Sequence, residues 1–407
     1  MTPGEPWPGR RRSGRGEGAG GSPGLRVLCA PNAFRGTLTA AAAAVALAAG
    51  ARDAGALARA LPMADGGDGT LDVLLAVSPA ARIELHRVTG PLGGRLVARL
   101  GWTSATTAVV ELAETSGLRR LRGRRDALRA TSQGAGELIA HALGGGARRI
   151  LVGIGGSACT DGGTGLLTAL GVKLLDGRGH PLGPGGGTLT ALESADLSDL
   201  DPRLRLCRLE VVSDVDSPLL GSLGAAHIFG PQKGATGAEV ERLAAGLRRL
   251  AEVLERDAGV PATLRDQAGA GAAGGSGYGL AVAGAALLPG ASVVADAIGL
   301  DPAISESDLV LTGEGRLDQQ TAAGKAPMEV ARRSARLSVP CIAVAGEVRS
   351  DPGGFHRSIS LADLAGPGED PRRMPRRLLR RAGAQIVRQM AAGSVTRSGA
   401  TTPRTWG

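Results

Sequence analysis

The sequence predicts an α/β protein with a Rossmann-like or flavodoxin-like parallel-sheet domain, into which a second α/β domain is inserted. Short apolar runs of strand length are followed by glycine-rich loops and then by helical patterns, which is typical of parallel sheets with crossover helices. The chain has 407 residues, more than one hydrophobic core usually serves. We therefore expect residues 24–80 with 292–392 to form the first domain and residues 81–291 to form the inserted one.

Four segments carry this alternation. The first run, residues 25–30, stops at Pro31, and Thr37 is positioned to cap an alanine-rich helix that extends to about residue 53. The other runs cover residues 148–153, 308–312 and 341–345, and each leads into a glycine-bearing loop. Because loops at the carboxyl ends of parallel strands commonly hold ligands, these loops are candidate sites.

Residues 82–112 follow a different pattern. Ile83, Leu85 and Arg87 alternate with other side chains, a Thr89–Gly93 turn follows, and two more strand-like runs come after it. This arrangement is typical of hairpins. A meander placed between parallel-sheet segments indicates that one domain is inserted into another.

The net charge of +9 is concentrated at the two ends of the chain. Residues 1–23 carry +2 and residues 366–407 carry +7, so the residues between them have no net charge. We expect residues 1–23 and 393–407 to be a disordered leader and tail. Because the core has no electrostatic reason to hold a polyanion, nucleic acid is not an expected partner.

The cysteines and apolar runs bear on the cellular compartment. The four cysteines are far apart and form no Cys-x-x-Cys pair, which favours a reducing compartment and argues against a thiolate metal site. Residues 1–23 lack the apolar core of a signal peptide, and no uninterrupted apolar run reaches about 18 residues. We therefore expect a cytoplasmic protein with no membrane partner.

Lysine is rare in this chain. Of 47 basic residues, three are lysines, and two of these, Lys233 and Lys325, lie in glycine-bearing loops. Lysine is a compact point charge, whereas arginine is a planar fork, and a transferring phosphoryl group is stabilised by point charges and backbone amides. With 66 glycines in the chain, a chance placement is the simpler alternative.

The loop after the second run is the richest in glycine. Its segment Gly153–Ala158 matches a dinucleotide-binding fingerprint, although the acid expected about 20 residues later is poorly supplied by Asp176. The loop continues as Thr160–Gly165 and places Asp161 among glycines. A carboxylate there would repel a phosphate unless it binds Mg²⁺ or accepts a proton, and the simpler interpretation is a helix cap.

Further acidic residues lie on similar loops. Asp65 and Asp68 lie on a glycine loop before a helix, where turn and cap roles are the simpler interpretation. Asp214 and Asp216 follow an apolar run, and paired acids at a strand end can hold Mg²⁺ while phosphates complete its shell. A third loop carries four charged residues that could meet one ligand, namely Glu314, Arg316, Asp318 and Lys325. This inventory suits phosphoryl transfer, although no Walker A motif is present.

Eight of these segments, taken in order, resemble the bacterial glycerate kinase family of the type I, two-domain kind. The resemblance covers roughly residues 25–348 and rests on Ala30–Thr39, Ala64–Thr70, Thr89–Gly93, Gly153–Gly165, Ser213–Val215, Phe229–Ala235, Gly269–Gly279 and Thr312–Asp318. It implies that the chain phosphorylates D-glycerate with ATP and Mg²⁺, usually at the 2-hydroxyl. It leaves open whether the chain is a monomer or a homodimer.

The resemblance also implies roles for individual residues. Asp161 is expected to accept the proton of the substrate hydroxyl and Asp214 to contact Mg²⁺, although the two roles are interchangeable on sequence alone. Lys233 and Lys325 are expected to neutralise the transferring group, and Arg316 with Arg35 to bind the substrate carboxylate or to stabilise the transition state. The remaining candidates are phosphate cradles at Gly155, Gly156, Ser157, Gly274, Gly275, Ser276 and Gly277, and substrate contacts at Asp65, Asp68, Glu314 and Asp318.

The first motif departs from the family pattern. The family commonly has Asp, Ser and Lys where this chain has Asn32, Ala33 and Arg35. Asn32 cannot act as a base, whereas Arg35 keeps the positive charge and can grip a carboxylate with two hydrogen bonds. Two alternatives remain open from sequence. The fingerprint at Gly153 leaves open an NAD(P)-dependent oxidoreductase, and the altered first motif leaves open a non-catalytic protein that binds glycerate or nucleotide. The choice between the 2-phosphate and the 3-phosphate product also remains open.

Overall fold

A computed structural model describes residues 24–121, 123, 125–322, 325–350 and 352–392. The predicted disordered leader and tail lie outside these residues. The described chain divides into two compact units: the first contains the residues up to Met63 and those from Gly299 onward, and the second is Ala64–Ile298. The first unit is therefore assembled from two separate segments of the chain.

Strands and helices alternate along most of the described chain. The strands are β1 (Arg26–Cys29), β2 (Leu57–Ala60), β3 (Arg82–Thr89), β4 (Arg95–Trp102), β5 (Thr107–Glu111), β6 (Arg149–Gly153), β7 (Lys173–Asp176), β8 (Leu192–Asp196), β9 (Arg208–Ser213), β10 (Ala286–Pro289), β11 (Leu309–Thr312), β12 (Arg316–Leu317), β13 (Cys341–Ala345), β14 (Glu347–Val348) and β15 (Arg357–Ser360).

The helices of the first half are α1 (Ala40–Asp53), α2 (Thr70–Ala76), α3 (Leu112–Ser116), α4 (Gln133–Gly144), α5 (Thr164–Ala169), α6 (Ala225–Phe229) and α7 (Gly237–Ala258). Those of the second half are α8 (Ala272–Val282), α9 (Gly290–Ala297), α10 (Leu300–Ser305), α11 (Gln319–Ala322), α12 (Ala326–Arg336), α13 (Leu361–Leu364) and α14 (Pro375–Ala391). Short 3-10 segments lie at Leu118–Leu121, Gly186–Ala191, Pro202–Leu206, Pro231–Lys233 and Ala262–Asp266.

The first unit contains a five-stranded parallel sheet in the order β15-β13-β11-β1-β2. Numbered along the chain within this sheet, the order is 2-1-3-4-5, which is the flavodoxin-like arrangement. The predicted α/β fold class is therefore confirmed. The strands are largely buried, and the core also draws on α1 and α14, which pack against each other. Side chains on both faces of the sheet are buried, for example Val27 and Cys29 on one face and Leu28 on the other, which explains why these strands read as short, nearly continuous apolar runs.

The α1 helix begins after Thr39, whose Oγ1 accepts a hydrogen bond from the backbone N–H of Ala42 at 3.2 Å. The prediction that Thr37 caps this helix is wrong. Thr37 lies in a tight turn, where its hydroxyl donates to the carbonyl of Phe34 at 2.9 Å. Either threonine has the chemistry of a cap, so the turn between them decides which one acts as the cap.

Gly50 lets α1 and α14 approach closely. A Cβ atom at Gly50 would lie 1.8 Å from the backbone oxygen of Arg380, so the two helices would have to separate. We predict that Gly50→Ala lowers the free energy of unfolding by ~1–3 kcal/mol, despite the higher helix propensity of alanine. Urea denaturation measures this loss. Gly237→Ala is the matched control, because a Cβ atom at Gly237 meets nothing within 4 Å; equal midpoints for the two variants would contradict the prediction.

The second unit contains a six-stranded sheet in the order β10-β9-β6-β5-β4-β3. Its strands β10, β9, β6 and β5 are parallel, whereas β3 and β4 form the antiparallel hairpin that the sequence predicted. A separate two-stranded antiparallel sheet pairs β7 with β8. The carboxyl ends of the four parallel strands consequently lie along one edge of the large sheet.

The observed boundary between the units differs from the predicted one at residue 81. Residues 64–80, including α2, belong to the second unit. The reason is a set of backbone hydrogen bonds: Gly155 N–H donates to Gly66 O at 3.0 Å, and the N–H groups of Gly69 and Leu71 donate to Glu111. These bonds attach the segment to the large sheet of the second unit. Within the described residues, no helix is long and apolar enough to cross a membrane.

Candidate functional site

The carboxyl ends of β1 and β11 lie at the point where the strand order of the first sheet reverses. Ligands of doubly wound α/β folds bind at such a point, outside the carboxyl ends of the strands. The two strand ends are joined by hydrogen bonds from Thr312 Oγ1 to Ala30 O and from Asn32 N–H to Gly313 O, both at 2.8 Å. A cavity of about 880 Å³ opens there, and its walls include residues 34–37 and 314–316.

Gly313 fixes the path of the loop after β11. A Cβ atom at this position would lie 1.7 Å from the carbonyl oxygen of Val344, so no side chain fits. The loop is also bonded to the next strand end, where Gly346 N–H donates to Glu314 O at 3.1 Å and Glu347 N–H donates to Gly315 O at 3.2 Å. These contacts hold the charged residues that follow Gly313 against the cavity.

The wall of the cavity carries five cationic residues: Arg35, Arg316, Lys325, Arg349 and Arg372. Lys325 immediately precedes α12, so its ammonium group and the positive end of the helix belong to the same part of the wall. Hydrogen bonding from Arg349, at 3.0 Å, lowers the pKa of Glu347 and keeps that carboxylate charged. Arg316 Nε lies 3.4 Å from Glu347. The five cations outnumber the acidic residues of the same wall by one, the acids being Glu314, Asp318, Glu347 and Asp370.

The structure brings together five of the residues predicted as site residues. Arg35, Glu314, Arg316, Asp318 and Lys325 all line this cavity. Glu314 is buried and accepts a hydrogen bond from the hydroxyl of Thr321 at 2.8 Å, which orients its carboxylate. Arg35 is exposed and belongs to the turn after β1. The loops after β1 and β11 are far apart in sequence, and the parallel pairing of these strands places them side by side.

A second group of predicted residues lies at the carboxyl edge of the sheet in the second unit. The Asp65–Gly69 loop packs there: a Cβ atom at Gly66 would meet Val212 O at 2.0 Å, and one at Gly155 would meet the Cα of Gly67 at 2.5 Å. Gly156 lies against the carboxylate of Asp68, to which Arg119 Nη2 approaches within 2.9 Å. Gly155 is therefore required by packing against backbone, and Gly156 by its positive φ of +72°, whatever their part in binding phosphate.

Asp214 follows β9 at the same edge. Its Oδ1 accepts a hydrogen bond from the N–H of Ala291 at 3.0 Å, at the start of α9. A Cβ atom at Gly290 would lie 2.3 Å from Asp65 O, so the Asp65 loop and the start of α9 are in close contact. Two predicted acidic positions, Asp65 and Asp214, therefore belong to one part of the structure.

Glu111 is an acid at this edge that sequence reasoning missed. It ends β5, it is 1% exposed, and its carboxylate accepts hydrogen bonds from Gly69 N–H and Leu71 N–H, both at 3.1 Å. Burial raises the pKa of Glu111 to about 7; the two amides oppose this rise, and the nearby charges of Asp68 and Glu114 add to it. The available signal was an acid at the end of an apolar strand, the same signal that pointed to Asp214.

The raised pKa of Glu111 predicts a pH dependence of stability. The pKa of Glu111 is about 7 in the folded protein, and the ordinary value of 4.5 applies to the unfolded chain. Between pH 4.5 and pH 7, the folded protein therefore keeps a proton that the unfolded chain has lost. The free energy of unfolding therefore falls as pH rises through this window, by on the order of 3 kcal/mol. Glu111→Gln removes the titration, so the stability of the wild type relative to this variant should decline from about pH 4 to about pH 8 in urea denaturation. A constant difference would contradict the prediction.

Asp161 lies in the interior of the second unit with its side chain fully buried. Its Oδ2 accepts hydrogen bonds from the N–H and hydroxyl of Ser132, at 2.8 and 2.9 Å, and its Oδ1 accepts one from Gly163 N–H at 3.2 Å. Ser132 and Gly163 immediately precede α4 and α5, so the carboxylate joins the amino-terminal ends of two helices. This geometry favours the cap interpretation of Asp161, and its role as a base stays a prediction.

Lys233 is buried near Asp161, at 1% exposure. Its Nζ donates to the backbone carbonyl of Cys159. Burial lowers the pKa of Lys233, and the neighbouring Asp161 carboxylate opposes this shift. Lys233 therefore holds the loop between β6 and α5 from the inside. Its predicted contact with a phosphoryl group also stays a prediction.

The predicted cradle at Gly274–Gly277 packs against this same loop. Gly162 N–H donates to Gly274 O at 3.0 Å, and a Cβ atom at Gly274 would lie 2.2 Å from Cys159 O. Ser276 is fully buried, and its hydroxyl donates to Ala273 O at 3.0 Å. The structure thus places Asp161, Lys233 and these glycines in one buried cluster of the second unit.

The acidic residues of the described chain bear on metal binding. No group of three or more His, Cys, Asp or Glu side chains in these residues is placed to hold a metal ion. Mg²⁺ in phosphoryl-transfer sites usually uses one or two carboxylates, and waters and substrate phosphates complete its shell. Asp214, with its carboxylate oriented by Ala291, is of the type required.

Comparison with known proteins adds an independent observation. The model of a family described as the glycerate kinase family matches residues 27–391. The chain is 43% identical over 356 residues to a glycerate kinase of Bacillus subtilis (strain 168), a match that covers 85% of this chain and 92% of that protein. It is 42% identical over 339 residues to the glycerate 2-kinase of Escherichia coli (strain K12), covering 82% and 88% of the two chains.

A solved structure agrees with these sequence matches. A crystal structure described as glycerate kinase 2 from Salmonella typhimurium LT2 superposes with a TM-score of 0.77 at 39% sequence identity. The match covers 91% of this chain and 99% of that chain. The likeness therefore extends to both units of the fold.

Proposed function

Because the chain belongs to the glycerate kinase family, we propose that it transfers the γ-phosphoryl group of ATP, in the presence of Mg²⁺, to the 2-hydroxyl of D-glycerate. Phosphorylation of glycerate is the activity that the family and its curated members support. The comparisons give no support to the oxidoreductase or to the non-catalytic alternative. The name of the Escherichia coli relative, glycerate 2-kinase, supports transfer to the 2-hydroxyl. ATP and Mg²⁺ are the nucleotide and metal ion that we propose for the transfer.

The observation that carries the proposal is the cavity at the switch point of the first sheet, where five cationic residues accompany four acidic ones. Glycerate is a small carboxylate, and a guanidinium fork binds a carboxylate through two parallel hydrogen bonds. Arg35 and Arg316 both line the cavity and extend from loops fixed by β1 and β11. We assign the substrate carboxylate to these two arginines, which is one of the two roles that the sequence left open for them.

Lys325 is assigned to the transferring phosphoryl group. The transition state of phosphoryl transfer spreads negative charge over three equatorial oxygens, and a point charge placed beforehand stabilises it. Lys325 lines the same cavity as Arg35 and immediately precedes α12. Because the lysine and the helix terminus are held by the fold, little reorganisation is required when the charge develops.

Asp214 is assigned to Mg²⁺, which would supply charge neutralisation of the nucleotide phosphates. The hydrogen bond from Ala291 N–H leaves the carboxylate in a fixed orientation at the edge of the second sheet. For Asp161 we propose a positioning role, since its carboxylate holds the starts of α4 and α5 and is fully buried. The loop it organises carries the predicted phosphate contacts Gly155, Gly156 and Ser157.

Product analysis tests the proposed reaction. The purified protein, incubated with D-glycerate, ATP and Mg²⁺, is expected to release ADP only when glycerate is present. Phosphorus NMR of the product should show the coupling of a phosphate ester on a secondary carbon, which identifies 2-phosphoglycerate. A primary ester would overturn the proposed position while leaving the kinase activity in place. Absence of glycerate-dependent ADP release would contradict the reaction itself.

A further inference from the structure

The longest exposed strand edge in the described part of the chain belongs to β3. This strand has eight residues, lies at the end of the six-stranded sheet, and pairs with β4 along its whole length without a break in register. Edge strands that present free backbone groups are templates for pairing with another chain, and proteins usually blunt them with bulges, proline, short length or charged side chains. β3 has no bulge or proline, but it carries charges at Arg82, Glu84 and Arg87. The strand at the opposite edge, β10, has four residues and ends in Pro289.

The direction of the backbone groups along β3 follows from the hairpin turn. Gly90 N–H donates to Gly94 O at 2.7 Å, so Gly90 and Gly94 form a hydrogen-bonded pair. Because such pairs alternate along an antiparallel ladder, Ile83, Leu85 and Arg87 direct their N–H and C=O groups away from β4. Thr89 confirms this direction, since its N–H donates to Glu137 on α4 at 2.8 Å rather than to β4.

Two of these residues, Ile83 and Leu85, present an apolar face together with Val97 of the neighbouring strand. Leu85 is 68% exposed and Ile83 is 50% exposed, and Val97 on β4, opposite Arg87, is 56% exposed. Large exposed side chains are common one at a time, but three neighbours beside an open strand edge indicate an interaction surface. We name this surface the β3 edge, consisting of Arg82–Arg87 and Val97.

We propose that the β3 edge pairs with the β3 edge of a second copy of this chain, so that two six-stranded sheets join into one across a two-fold axis at Leu85. In this register Leu85 faces Leu85, and Ile83 faces Arg87 of the second copy. All three outward-facing residues then form hydrogen-bonded pairs. Arg87 O already accepts a hydrogen bond from Arg95, and a carbonyl oxygen has a second lone pair for the new bond.

Charge favours a second copy of the chain as the partner and Leu85 as the axis. Within one chain Glu84 already lies in ion-pair distance of Arg82 and His86, so the two strands would bring two such groups together. With the axis at Leu85, Glu84 of each copy lies opposite His86 of the other, in the closely spaced pairs of the ladder. Moving the axis by one residue to Glu84 would set two carboxylates against each other, and like charges directly opposite each other are destabilising. Moving it to His86 would set His86 against His86 and take Glu84 away from its complementary neighbour. The strand is therefore complementary to itself in the antiparallel direction, as a two-fold interface requires.

Mass measurement in solution tests the dimer. Light scattering after size exclusion of the full chain is expected to give twice 40.8 kDa at tens of micromolar protein. Leu85→Arg should shift the mass to that of the monomer, because it places like charges against each other at the two-fold axis. Leu206→Arg is the matched control, since Leu206 is 69% exposed and distant from β3 in sequence, and it should remain dimeric. A monomeric wild type, or a dimeric Leu85→Arg variant, would overturn the proposal.

Disulfide trapping tests the register separately. A one-to-one mixture of Glu84→Cys and His86→Cys chains is expected to form a disulfide-linked heterodimer under mild oxidation, because closely spaced cross-strand pairs have Cα atoms about 4.5 Å apart. Glu84→Cys alone should not cross-link. Cross-linking of Glu84→Cys alone, or none in the mixture, would overturn the Leu85 axis. Both experiments measure association, so their outcome is independent of whether the chain phosphorylates glycerate.

Discussion

Lys325→Met is expected to lower kcat for glycerate phosphorylation by ~10²–10³-fold, with a much smaller change in KM. The physical reason is that the ammonium group is assigned to charge that develops in the transition state, and removing one such preorganised group typically costs ~3–4 kcal/mol of transition-state stabilisation. Methionine keeps the length and the apolar stem of the side chain. Lys325 lies at the cavity wall immediately before α12, so this substitution removes charge without opening the core.

Lys173→Met is the matched control for this prediction. Lys173 lies on β7, its side chain is 53% exposed, and its Nζ is 2.7 Å from Asp199 in a surface ion pair. Such pairs contribute at most about 1 kcal/mol, so the rate of this variant should equal that of the wild type. Steady-state kinetics with varied D-glycerate and ATP give kcat and KM for both the Lys325→Met and the Lys173→Met variant. A Lys325→Met variant with the kcat of the wild type would contradict a role of Lys325 in stabilising the transition state.

Asp161→Asn is expected to lower the free energy of unfolding by ~2–4 kcal/mol. The carboxylate accepts hydrogen bonds from Ser132 and Gly163, and an amide nitrogen in place of either oxygen would face a donor. The change also removes the negative charge near the buried ammonium of Lys233. Breaking a buried charge partnership and leaving donors unsatisfied are both costly.

Urea denaturation measures this loss, and Asp216→Asn, at an exposed position, is the control. The same variant distinguishes the two roles considered for Asp161. If Asp161 is a positioning residue, the Asp161→Asn variant should lose stability markedly. Its kinase activity should recover under conditions that keep the variant folded. Full stability combined with abolished turnover would instead favour the role of base that the sequence predicted.

The parallel sheet of the first unit was predictable because its strands are short, apolar and stopped by recognisable loops. Residues 25–30, 308–312 and 341–345 each contain a strand of the final sheet. The placement of Arg35 and Arg316 at one cavity was harder to predict from the sequence, because it requires β1 to pair with β11. Strand order is set by packing of the whole unit, and local pattern does not contain it.

The glycine loops of the second unit show where sequence reasoning fell short. A glycine required for close backbone packing and a glycine that admits a phosphate look the same in sequence. Gly274 meets Cys159 O so closely that no side chain fits, and that contact joins residues more than a hundred positions apart. Likewise, the burial of Asp161 and the raised pKa of Glu111 depend on which segments cover them.

The central claim is that the cavity of the first unit binds the carboxylate of D-glycerate through Arg35 and Arg316. Its most direct test is the dissociation constant of D-glycerate, measured by calorimetry for the wild type and for the Arg35→Gln/Arg316→Gln double variant. A lost charged hydrogen bond is worth ~1.5–3 kcal/mol, so we expect binding to weaken at least ~10-fold. Arg178→Gln, at an exposed turn, should bind like the wild type. An unchanged dissociation constant in the double variant would contradict the claim.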